Sequence, residues 1–120
     1  MDEIAFKRAF DDVALSVRAA PSPANVEPEM ARFLHSVRAH PEQRPFVSEI
    51  FRQALLQPDS PWEFVQFCLH GLRWREMKEF VEAQRLRAHS DMRARRIWES
   101  LLNAFEDDWE DAEFYQEYQR

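Results

Sequence analysis

Gly71 is the only glycine in a chain of 120 residues. Sheets and tight hairpins draw on glycine for the positive φ of their turns. A chain with one glycine is poorly equipped to build them. The seven prolines fall mostly between apolar segments, where they break the chain rather than interrupt an element. The sequence is therefore expected to be all-α, and its periodicity agrees.

At about 100° per residue, apolar positions gather on one face in segment after segment. The first helix is expected over about 3–18, with Phe6, Phe10, Val13 and Val17 on one face. A proline-broken stretch, 19–28, leads to a second helix over about 28–39, carrying Met30, Phe33, Leu34 and Val37. The third, about 45–56, carries Phe46, Val47, Ile50, Phe51, Ala54 and Leu55. Ser60, Pro61 and Glu63 form an S-x-x-E capping box, so Ser60 is expected to cap a fourth helix over about 61–71. A fifth follows over about 74–88. Ser90 or Asp91 caps a sixth over about 91–106, and a short seventh is expected over about 108–118. The whole, 1–120, reads as one all-helical domain: a compact antiparallel bundle or short helical array of six to seven helices. Helix pairs beginning near 28, 61 and 91 have a pitch that resembles helical-repeat proteins, with no residue-level repeat behind it.

The fourth segment, SPWEFVQFCLHGLRW, concentrates unusual residues: the only cysteine, the only glycine, one histidine and two tryptophans. On a helical wheel, Trp62, Phe64, Val65, Phe67, Cys68, Leu69 and Leu72 take most of the circumference. Glu63, Gln66, His70 and Arg73 share a narrow stripe. Such a helix is the central, most buried one, and Cys68 is a buried small hydrophobe rather than a nucleophile. His70 lies two residues away and points to another side, so it cannot serve Cys68 as a base. His70 reads as a surface residue of the polar stripe. Gly71 is expected to end the helix or to permit a close approach.

No catalytic, cofactor or metal site is expected. One glycine rules out dinucleotide and phosphate-loop fingerprints. One cysteine excludes an intramolecular disulfide and a cysteine-rich zinc site. No histidine has a glutamate three residues before it, and His35 and His40 do not share a helical face. The N-terminus has no leader pattern and no stretch is apolar enough to span a bilayer, so a soluble, cytoplasmic protein is expected. Arginine outnumbers lysine 14 to 2, which points to a GC-rich bacterial genome.

Two charged stretches remain as candidates. The first is 105–118, FEDDWEDAEFYQEY, with seven acidic and five aromatic residues; no lysine or arginine falls between 97 and 119. Carboxylates beside tyrosine and tryptophan suit a protein interface. Glu106, Asp107, Asp108, Glu110 and Asp111 are expected to steer a partner with a basic surface, and Trp109, Tyr115 and Tyr118, with Phe114, to supply contact area. The leading reading is a non-enzymatic interaction protein, a small acidic bacterial inhibitor or immunity-type protein. The second stretch is 85–96, where Arg85, Arg87, Arg93, Arg95 and Arg96 surround a turn. It gives an alternative reading, a nucleic-acid-linked regulator with an anion-binding corner. The net charge of −6 argues against a general nucleic-acid binder. A third reading, an enzyme assembled from distant residues, has no motif behind it.

Overall fold

The computed structural model describes residues 1–119. Six α-helices follow one another: α1 (Glu3–Ala19), α2 (Glu27–Ala39), α3 (Arg44–Leu55), α4 (Trp62–Leu72), α5 (Arg75–Arg87) and α6 (Met92–Asn103). Short 3-10 helices, Pro23–Val26 and Pro41–Gln43, occupy the proline-broken connections, and two more, Glu110–Phe114 and Gln116–Tyr118, form a C-terminal segment. No strand occurs among the described residues, and no helix among them is long and apolar enough to cross a membrane.

The helix starts follow local chemistry. Asp2 caps α1 by accepting from the Ala5 amide at 2.8 Å, and Asp91 caps α6 by accepting from Ala94 at 3.1 Å. Prolines stand in the first turns of α2 and α3, where their missing N–H costs nothing. The expected capping box at α4 does not form. Pro61 takes the N-cap position with φ −79° and ψ 53°, and no side chain caps the helix. The φ of Pro61 suits a helix but its ψ does not, so the helix starts at Trp62. The Ser60 hydroxyl is left buried with no partner among the described residues.

The helix α4 is the centre of the core, as its wheel requires. Phe64, Val65, Phe67, Cys68 and Leu69 are fully buried, and burial pushes the Cys68 thiol far above its usual range. Phe64 stacks on Phe10 at 5.0 Å and meets Phe33 edge-on at 5.4 Å, which ties α4 to α1 and α2. On the far side, Arg44 of α3 grips Glu76 of α5 with bonds of 2.7 and 2.6 Å and lies 5.0 Å over the Trp74 ring. The paired guanidinium holds the Glu76 carboxyl down at about 2.

The middle of the polar stripe, Gln66 and His70, is buried, and Arg73 at its end is exposed. Gln66 donates to the Ser100 carbonyl at 2.7 Å, His70 bonds the Ala104 carbonyl at 2.7 Å, and Arg73 pairs with Asp107. All three partners lie 34 residues further along. A constant offset means that α4 and α6 run parallel, with the intervening α5 carrying the chain back. His70 is only 7% exposed, so the surface reading of that residue is corrected. A wheel separates polar from apolar, but a second helix can satisfy a polar stripe as water would.

Gly71 permits a close approach. A Cβ there would stand 2.7 Å from Tyr118 Oη, 2.8 Å from Arg38 Nη2 and 3.0 Å from Leu34 Cδ2. The helix continues one residue past it and ends on Arg73, which adopts the left-handed conformation at φ 51° and donates its N–H to Leu69.

Candidate functional site

The C-terminal segment was expected to be an α-helix over 108–118. It is instead two 3-10 helices joined at Tyr115, where the backbone is extended at φ −117° and ψ 129°. Two physical causes act together. As an α-helix the segment would stack Glu113 on Glu117 at i, i+4, which is unfavourable. Its apolar residues Trp109, Ala112, Tyr115 and Tyr118 also recur every third position. At 3.0 residues per turn these eclipse one another and form one face; on an α-helix Trp109 and Tyr118 would point apart.

That face is turned inward. Trp109 is 6% and Tyr115 7% exposed, and Tyr118 is half-buried. Phe67 meets Tyr115 at 4.9 Å and Tyr118 at 5.1 Å, while His70 lies 4.9 Å from Trp109 and 4.6 Å from Tyr118. Trp109, Tyr115 and Tyr118 were expected as partner contacts, and their rings are spent on the core instead. The exposed ring is Phe114, at 63%.

Polar bonds fasten the same segment from outside. The Tyr118 hydroxyl donates to the Phe67 carbonyl. Glu27 of α2 accepts from two successive amides, Gln116 at 2.9 Å and Glu117 at 2.8 Å. Glu117 in turn bonds His35 at 2.9 Å and Arg38 at 3.4 Å. The segment is thus clasped by α2 and α4 along its length. The ring of His70 is part of that clasp: burial lowers its pKa, the bond to Ala104 opposes the lowering, and Arg73 adds to it. The neutral ring, donating from Nδ1 to the Ala104 carbonyl, is the form that fits.

With the aromatics inside, the carboxylates lie outside. Asp107 is held by Arg73, and Glu117 by His35 and Arg38. Glu106, Asp108, Glu110 and Asp111 are exposed and make no ion pair among the described residues. These four border a cleft of about 350 Å³ whose remaining walls are Ser100, Asn103 and Trp109. The cleft opens at the C-terminal end of α6, where the helix dipole adds negative potential. Two neighbouring groups are shifted, chiefly by their own burial. Glu63 is raised by burial and by Asp111. Tyr115 is pushed up to about 12, by burial first and then by Glu63, Asp111 and Glu27. Among the described residues, no three His, Cys, Asp or Glu side chains converge closely enough to hold a metal ion.

The arginine stretch lies at the other end of α6. Arg87, Arg93, Arg95 and Arg96 are exposed and Arg85 is half-buried, its Nε without a partner among the described residues. Arg95 pairs with Glu99 at 2.9 Å. The first turn of α6 holds no acidic residue and its last turn no basic one. This placement opposes the helix dipole, at roughly 0.3–1 kcal/mol per exposed charge; only the Asp91 cap works in the usual direction.

The sequence signal for the inward face was the three-residue spacing of Trp109, Ala112, Tyr115 and Tyr118. The signal for the cleft was the absence of basic residues between 97 and 119. Comparison with protein-family models, curated proteins and solved structures finds no match for this chain.

Proposed function

We propose that the protein is a non-enzymatic binding protein whose C-terminal acidic face takes a basic side chain of a protein partner, in the manner of a small acidic inhibitor or immunity-type protein. The observation that carries this reading is the cleft at the end of α6. Four carboxylates without an ion pair among the described residues surround it, on a segment fixed by three inward aromatic rings. A fixed site costs little ordering on binding, and its charge raises the rate of encounter with a positive partner. A planar guanidinium can donate to several carboxylates and a side-chain amide oxygen at once, and Asn103 and Ser100 supply the neutral partners in the wall. Phe114, exposed on the same segment, supplies the apolar contact that the buried rings do not.

The test is titration of isotope-labelled protein with a synthetic arginine-rich peptide. The expected result is a set of amide and indole shifts concentrated on Ser100, Asn103, Trp109 and Asp111, fading as salt is added. Shifts centred on another surface, or none at low salt, would refute the reading.

A further inference from the structure

The two ends of α6 carry opposite charge, and each shows a large exposed apolar side chain. At one end stand Arg87, Arg93 and Arg96, exposed and without an ion pair among the described residues, with Leu86 67% and Met92 62% exposed beside them. At the other stands the acidic cleft, and the segment that carries it also bears Phe114, 63% exposed. The 12 residues of α6 put about 18 Å between these ends at about 1.5 Å per residue. That exceeds the screening length of about 8 Å at physiological ionic strength, so the two patches cannot neutralise each other within one molecule. The charges also run against the dipole of the helix that carries them, so helix stability does not account for their placement. What does fit each patch is the opposite patch.

We infer that the arginine corner is an interaction surface for a second copy of this chain, which it meets through that copy's acidic cleft. The inference rests on the reading above that the cleft takes a basic side chain. Because the two patches differ, the contact is heterologous and head-to-tail: each molecule offers one free corner and one free cleft, and copies add in series or close a ring. An arginine of the corner enters the cleft, and Leu86 or Met92 covers Phe114.

Sedimentation velocity on three proteins tests this. The first is the wild type. The second is a corner variant, Arg87→Gln with Arg93→Gln and Arg96→Gln. The third is an end variant, Glu106→Gln with Asp108→Asn, Glu110→Gln and Asp111→Asn. At low salt the wild type should sediment above the monomer mass, rising with concentration and returning to monomer at high salt. Each variant alone should stay monomeric. An equimolar mixture of the two retains one intact corner and one intact cleft, so it should stop at twice the monomer mass. A monomeric wild type at low salt, a self-associating corner variant or a monomeric mixture would each overturn the inference. The corner variant, which keeps its cleft, separates the two failures. If it binds the arginine-rich peptide while the wild type stays monomeric, the cleft reading stands and self-association falls; if it binds no peptide, both fall. Salt-sensitive binding of a single-stranded oligonucleotide by a monomeric wild type, lost in the corner variant, would assign the corner to nucleic acid and overturn self-association.

Discussion

The helix α4 and the C-terminal segment pack against each other, yet they are held in opposite ways. The helix satisfies its own backbone and fills the core with contiguous apolar residues, so its structure belongs to its own sequence. The segment borrows. Its amides bond to Glu27, its hydroxyl to the Phe67 carbonyl, its carboxylate to His35 and Arg38. Its turns close only three-residue hydrogen bonds, which are poorer than those of an α-helix. The lesson is that its acidic face is an acquired property: the carboxylates are presented outward only because α2 and α4 hold the rings inward. Stability and function then separate on the two sides of one short stretch.

The most severe way to break the comparison is at the residue both regions share. Phe67 is fully buried and meets both tyrosines. Phe67→Ala should cost about 3–5 kcal/mol and release the segment as it weakens the core, measured by denaturant unfolding with near-ultraviolet circular dichroism.

A gentler probe loosens the clasp alone. At Gly71 an added methyl meets the ends of Tyr118 and Arg38 rather than backbone. Overpacking costs roughly 1–3 kcal/mol, while alanine in place of glycine returns up to about 1 kcal/mol of helix propensity. The clash should win by about 1 kcal/mol. Gly71→Ala should therefore lower the melting temperature modestly and speed hydrogen exchange at Gln116 and Glu117, leaving α4 protected. Equal protection of both regions would contradict the dependence of the segment on its neighbours.

Acid should distinguish the two regions next. His70 has a folded pKa below its unfolded value of about 6.5, so the unfolded state binds the proton first. Its contribution is whole above about pH 6.5 and is lost as the pH falls through the lower folded value. Stability should decline on acidification below about pH 6.5, and His70→Gln should flatten that decline. An unchanged profile in the variant would show that the ring is not the titrating group.

Much of this was written in the sequence, and the exceptions have physical causes. The six α-helices and the burial of Cys68 follow from a period of 3.6, because α4 and its neighbours obey one rule along their length. Ser60 did not cap because Pro61, with ψ 53°, takes the N-cap position itself and leaves Ser60 one residue outside the helix. His70 was misplaced because a wheel shows one helix and not the parallel partner that receives its stripe. The last segment was misread because tyrosine and tryptophan serve a core and an interface equally well. Only their spacing of three selects a 3-10 face turned inward. The carboxylates themselves were legible as outward charge; their arrangement around a cleft required α6 to end where it does.

The smallest expected effect on stability belongs to the face proposed to act. Phe114→Ala should change stability by no more than about 0.5 kcal/mol, as exposed positions do, and should speed dissociation of a bound basic peptide.

The most direct measurement is stopped-flow association of the arginine-rich peptide with wild type and with the four-site neutral variant of Glu106, Asp108, Glu110 and Asp111, alongside their melting temperatures. The expected result is a wild-type rate that falls steeply with salt, a slow and nearly salt-independent rate for the variant, and melting temperatures that agree. An unchanged association rate for the variant at low salt would contradict it and place the peptide's binding surface outside the cleft.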